Sequence, residues 1–285
     1  CSQLMKEQEF DALLLTKPAN MFYLTGDGRL CAYAMVTRDG QVALGVPSTD
    51  VEDVKQLARF DHIVGFEDEV GMIHSIAHHF EQFGIRKGTV GLEYAFLTQP
   101  RMGMLTHPHG KPKDVETRDC TPLMSELRLV KGPEEIECIR VAVRVADIGM
   151  KAAVEAAKPG VTESQVAAAA EYAMRQEGAT DFYRSYVASG PRTSIAHGVP
   201  TLRRLERGDL VMIDLHPVVG GYSADVGRTV SLGKPTAEQQ AVHELYGKGL
   251  EAAIVKASAG VEMVELQEAM HGVFKAAGHG THIFG

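Results

Sequence analysis

Apolar and polar positions alternate in two distinct rhythms along the chain. In the first part, short apolar runs are separated by helical stretches. These are "DALLLT" (11–16), "AYAMVTRDGQVALGVP" (32–47, a hairpin around Asp39-Gly40), "HIVGF" (62–66), a helix over 70–84 and "TVGLEY" (89–94). Strand and helix exchange over short connections, which predicts a compact α/β domain ending near residue 122. From "SELRLVKGPEEIECIRVAVRVADIGMKAAVEAAKPG" onward the period becomes helical. Pro133 stands in a first turn, acids follow at 134, 135 and 137, and Lys158-Pro159-Gly160 closes the run. "TESQ" (162–165) is a capping box that opens a second helix, running to about Gly178. Further helices are expected over 236–258 and 263–277.

Between these helices lies "LVMIDLHPVVGGYSADVGRTVSL" (210–232). Two β-branched runs flank Val219-Gly220-Gly221, a hairpin signal, yet each carries an aspartate, Asp214 and Asp225. If Val219-Gly220 form the loop, the two aspartates pair directly; if Gly220-Gly221 do, they become diagonal neighbours. Side chains alternate with a period of two, so in either register both carboxylates project from one face. Like charges at that spacing are destabilising and call for a shared proton or a cation between them. A divalent metal is the simplest answer; the alternative is that each aspartate is solvated or caps a neighbouring backbone group. His216 lies on the same face by alternation and could be a third ligand, although Pro217 follows at once and a lone histidine is more often structural.

Composition narrows the partners. The 285 residues are 45% hydrophobic and 23% charged, ordinary for a globular protein of two domains. A net charge of -8 without a Lys/Arg block argues against nucleic acid and anionic membrane surfaces. No apolar run approaches the roughly 20 residues of a membrane span, and the first residues do not read as a signal peptide. Cys1, Cys31, Cys120 and Cys138 are scattered without C-x-x-C spacing, which suggests neither a disulfide framework nor a thiolate site and fits a cytoplasmic protein. "THPHG" (106–110) reads as a solvated loop, and the adjacent His78 and His79 carry no ligand spacing. The chain starts at Cys1 and stops at "HGTHIFG", so both ends read as cut.

Three segments carry a resemblance: "EFDALLLTKPANMFYLTG" (9–26), "ELRLVKGPEEIECIR" (126–140) and the aspartate hairpin of 209–229. Together they resemble the pita-bread metallopeptidase family, in its prolidase, aminopeptidase P and creatinase branch. The resemblance implies a creatinase/prolidase-type N-terminal α/β domain over 1–122. It implies an α+β pita-bread catalytic domain with a curved antiparallel sheet over 123–285, incomplete at its C-terminus. By the same resemblance Asp214 and Asp225 match the first two ligands of a site for two divalent metal ions (Mn, Co or Zn), Asp225 bridging them. His197, in "SIAHGVP", matches the active-site histidine that contacts substrate. "GTHIFG" matches the opening of the family's Thr-His-x-x-Gly-His segment, which aligns His282 with its first, non-ligand active-site histidine. The remaining ligands would lie beyond Gly285.

The implied function is a metal-dependent hydrolase that cleaves Xaa-Pro bonds in dipeptides or short peptides through a metal-activated water, acting as a homodimer. Two alternatives stay open at this level: a metal-free, creatinase-like C–N hydrolase of a small molecule, and a non-catalytic binding relative.

Overall fold

The computed structural model describes residues 1–279, which fall into two compact units, Cys1–Ile139 with Gly220–Tyr222, and Arg140–Val219 with Ser223 onward. In the first unit the order is α1 (Ser2–Glu7), β1 (Ala12–Leu15), α2 (Pro18–Thr25), β2 (Tyr33–Thr37), β3 (Val42–Pro47), α3 (Val51–Leu57), β4 (His62–Phe66), α4 (Glu69–Gln82), β5 (Lys87–Leu92), α5 (Gln99–Leu105), β6 (Asp114–Asp119) and α6 (Thr121–Leu129). The six strands form one mixed sheet in the order β4-β3-β2-β1-β5-β6. β1 pairs antiparallel with β2 across the intervening α2, and β2 pairs antiparallel with β3 in a hairpin, while β1–β5, β3–β4 and β5–β6 are parallel.

Central strand β1 explains why "ALLL" shows no alternation. Leu13 and Leu15 enter one apolar cluster with Met5, Phe10 and Leu123; Ala12 and Leu14 enter another with Met72, Ile76 and Phe80. Both faces of the sheet are covered, so every position is apolar. Burying each of these leucines contributes roughly 1.5–3 kcal/mol relative to exposure. The boundary expected near residue 122 lies at the start of α6, which packs with α1.

Helix α7 (Pro133–Ala156) carries residues of both units. The second unit continues with α8 (Glu163–Gln176), β7 (Asp181–Ser189), β8 (Leu210–Val219), β9 (Tyr222–Ser223), β10 (Val226–Ser231), α9 (Ala237–Lys256) and α10 (Met263–Ala276). Its strands are antiparallel, ordered β10-β8-β7, with β9 also on β8. Along β8 burial follows the period of two: Val211, Ile213 and Leu215 are fully buried and join Val145, Met150, Val166, Met174 and Val187 in the core. Met212, Asp214 and His216 point the other way and are only partly buried.

The turn of the hairpin is Gly220-Gly221, with φ of 54° and 79°. Two successive left-handed residues are what a two-residue type I′ turn demands, and glycine adopts them without a Cβ penalty.

Candidate metal and active site

The β8 register decides between the two arrangements left open by the sequence. Asp214 pairs with Gly227 and Leu215 with Val226. Asp225 therefore lies one step further toward the turn, beside His216, and the two aspartates are diagonal neighbours. Asp225 stands in a two-residue interruption, Ala224-Asp225, between β9 and β10. Pro217 faces that interruption: its carbonyl accepts from Ala224 N at 3.1 Å, but it has no N–H to return. On the other side of β8, Tyr186 is the partner of Asp214.

Strand β7 takes one extra residue where it passes His216. Phe182 pairs with Pro217 and Ser185 with Leu215, so three steps on β7 match two on β8, a β-bulge. At the bulge the Arg184 carbonyl lies 2.7 Å from His216 Nδ1. A carbonyl can only accept, so Nδ1 carries the proton and Nε2 is the nitrogen turned to the carboxylates. Nε2 lies 3.5 Å from Asp214 Oδ2 and 3.3 Å from Asp225 Oδ1. Tyr183 and Tyr186 stand edge-on to the ring, with centroids at 6.2 and 5.8 Å.

Asp214, His216 and Asp225 thus offer one ligand atom each, all within 4.8 Å of one another. Among the described residues no hydrogen bond reaches either carboxylate. Burial lifts the Asp214 carboxyl above its ordinary value; Asp225 pushes in the same direction, while His216 and His197 oppose it. Two carboxylates and an imidazole are a donor set that fits a divalent ion.

His197 follows β7 on an exposed loop, its ring edge-on to Tyr186 with centroids 5.4 Å apart. That loop is tied at both ends by one carboxylate. Glu163, fully buried at the start of α8, accepts from Ser189 N and Oγ, both at 2.8 Å, on one oxygen. Its other oxygen accepts from Thr201 N at 3.0 Å, Thr201 Oγ1 at 2.6 Å and Arg192. Burial would raise the Glu163 pKa, but the hydrogen bonds from Thr201 and Ser189 outweigh it and hold it below the ordinary value. The sequence marks Glu163 only as an acid in the first turn of a capped helix; nothing local shows that it clamps a loop about 30 residues away. Tyr186 was equally hidden, because its partnership with Asp214 depends on strand pairing. His282 lies outside the described residues.

Comparison with known proteins fits this arrangement. Residues 1–130 match the creatinase/prolidase N-terminal domain, and residues 137–285 match metallopeptidase family M24. The chain belongs to the M24 metallopeptidases, with the creatinase/prolidase domain in front, and has their α/β plus pita-bread fold. It is 30% identical to the Xaa-Pro dipeptidase of Pyrococcus furiosus over 281 residues, 98% of this chain and 77% of that protein. Among solved structures, the prolidase of Pyrococcus horikoshii OT3 is 27% identical, with a TM-score of 0.85 over 98% of this chain and 77% of its own. The X-Pro aminopeptidase of Thermotoga maritima is 27% identical, with a TM-score of 0.82 over 95% and 76%.

Proposed function

We propose that this chain is a metal-dependent hydrolase of Xaa-Pro bonds in dipeptides or short peptides. One observation carries the proposal: Asp214 and Asp225 are brought to one face of a hairpin, close together, with no hydrogen bond to either among the described residues. Two relatives of near-complete coverage, from Pyrococcus furiosus and Pyrococcus horikoshii, are Xaa-Pro dipeptidases.

In this reading Asp214 and Asp225 hold a pair of divalent ions, Mn, Co or Zn. Bound metal would supply a water of lowered pKa and a Lewis acid toward the scissile carbonyl. The chain's own groups do the rest. His197, on the loop anchored by Glu163, offers a hydrogen bond or proton to the transition state. Tyr186 stands edge-on to the His197 ring and, as the strand partner of Asp214, walls the same face. His282, placed by resemblance, would face substrate as well.

The test is metal content and peptidase activity of the full gene product. About two equivalents of metal per chain by plasma mass spectrometry, with hydrolysis of Xaa-Pro dipeptides, is the expected result. Both should be lost in Asp225→Asn. A protein that takes up no Mn, Co or Zn would overturn the reading and bring a metal-free C–N hydrolase or a binding role forward.

A further inference from the structure

We infer that His216 is a nitrogen donor to the metal site, so that the hairpin presents an Asp/His/Asp set rather than two carboxylates alone. The inference rests on the metal reading of Asp214 and Asp225 given above, and goes beyond it by assigning a ligand and a metal preference.

Four observations converge on the ring. First, the ring is oriented: Nδ1 donates to the Arg184 carbonyl at 2.7 Å, which turns Nε2 toward Asp214 and Asp225. A ring nitrogen facing two carboxylates calls for a proton or a metal cation between them. A backbone carbonyl on the far nitrogen is also how metal-ligating histidines are usually oriented and made more basic. Second, the distances suit a shared ion better than a shared proton. An N–H donated to a carboxylate sits at about 2.7–2.9 Å, and a single N–H cannot aim at two of them. The observed 3.3 and 3.5 Å match the roughly 3.0–3.5 Å between donors that share one ion at about 2.0–2.2 Å. Third, the ring is held rather than free, since its side chain is 13% exposed and two tyrosine edges bracket it. Fourth, the backbone around it is irregular on both sides: a bulge in β7 beside the Arg184 carbonyl, and an interruption at Ala224-Asp225 where Pro217 withholds an N–H. Bulges next to functional sites re-aim side chains, and here the two irregularities bring the Nε2 and Asp225 together.

The chemical consequence is selectivity. Imidazole suits Zn and Co, whereas an all-oxygen site suits Mn. His216 should therefore favour Zn and Co over Mn at one of the ion positions.

The test uses the metal-free full gene product, titrated separately with Co(II), Zn(II) and Mn(II). Calorimetry reads affinity, and visible absorption reads the Co(II) ligand field. Expected for His216→Ala is at least a tenfold loss of Co(II) and Zn(II) affinity for one equivalent, a changed Co(II) spectrum and a smaller loss for Mn(II). His216→Asn, which keeps a polar side chain in the same place, should behave alike. In wild-type protein carrying nitrogen-labelled histidine, Zn(II) should shift the Nε2 resonance of His216, a readout that depends on no variant folding. Unchanged Co(II) affinity and spectrum in both variants, with Asp225→Asn still abolishing them, would overturn the inference while leaving the aspartate reading intact. Absence of metal binding in the wild type would overturn both.

Discussion

Glu163 and Asp214 are carboxylates of the same unit in opposite surroundings. Five donors from Ser189, Arg192 and Thr201 fill the oxygens of Glu163, and its pKa is held down. Asp214 has an acid as diagonal neighbour and the His216 Nε2 beside it at 3.5 Å, and burial drives its pKa up. The first unit repeats the Glu163 pattern: Glu93, buried, accepts from Thr16 N at 2.7 Å, Lys17 N at 2.8 Å and Asn20 Nδ2 at 2.5 Å. A buried acid whose acceptors are full is a structural rivet. Asp214, partly buried, with a second acid beside it and no hydrogen bond from the described residues, has the surroundings that the proposed metal site would use. Acidity alone does not separate the two; saturation does.

That distinction is broken most sharply by removing one acid from each side. Asp225→Asn should abolish metal uptake and lower peptidase activity by on the order of 10³-fold, because in the proposed site Asp225 is a ligand and its loss would remove the activated water with it. Its unfolding free energy without metal should hold steady or rise slightly, since a like-charge neighbour disappears. Denaturant titration and steady-state assay of the same preparation read both. Glu163→Ala should do the reverse: it orphans Ser189 N, Thr201 N and the Arg192 charge, and should cost about 3–5 kcal/mol of stability, the range for breaking a buried pair. If Asp225→Asn unfolds the protein and Glu163→Ala does not, the contrast is wrong.

The first unit offers a pH-dependent counterpart. His79 is fully buried in α4, its Nδ1 3.0 Å from the Tyr33 hydroxyl, which also meets Ser75 at 2.8 Å. Burial lowers its pKa from 6.5 to about 4, with His78 and His62 adding to the effect. The folded state therefore keeps His79 neutral where the unfolded chain would already bind a proton. Its contribution is complete above pH 6.5 and is lost as the pH falls from there toward 4. At one pKa unit per 1.36 kcal/mol this amounts to about 3 kcal/mol at most. Unfolding measured across that window should show the slope, and His79→Asn should flatten it.

Much of this was legible from the chain, for identifiable reasons. Alternation along the hairpin placed Asp214, His216 and Asp225 on one face because a period of two leaves little freedom. Val219-Gly220-Gly221 allowed two registers, one for each choice of loop pair, and choosing between them required the ladder. Long amphipathic runs gave α7 and α8 their extents, and α9 and α10 were placed to within two residues at each end. Short α1, α2, α3 and α5 and the strands β6 and β7 were not read, because six to nine residues carry too little periodicity to stand out. The Glu163 clamp and the β7 bulge lay beyond reach for another reason. Both join segments distant in sequence, and a bulge has no residue signature of its own.

The smallest expected effect sharpens the comparison through two capping boxes of the same chemistry. Thr162 and Thr236 each accept from the N–H of the residue three positions on, Gln165 and Gln239, and each glutamine reaches back to the cap N–H. Thr→Ala at either site should cost about 1 kcal/mol by loss of a cap. Their surroundings differ: Thr162 is buried and adjoins Glu163, while Thr236 is exposed on a helix that carries no part of the site. Combined with Glu163→Gln, Thr236→Ala should therefore add within about 0.5 kcal/mol, as independent positions do, whereas Thr162→Ala should show a coupling of about 0.5 kcal/mol or more. Equal additivity would mean that the Glu163 knot stands without the cap that starts its helix; a coupling confined to Thr162 would show that α8 is capped in order to present its first carboxylate to the loop bearing His197.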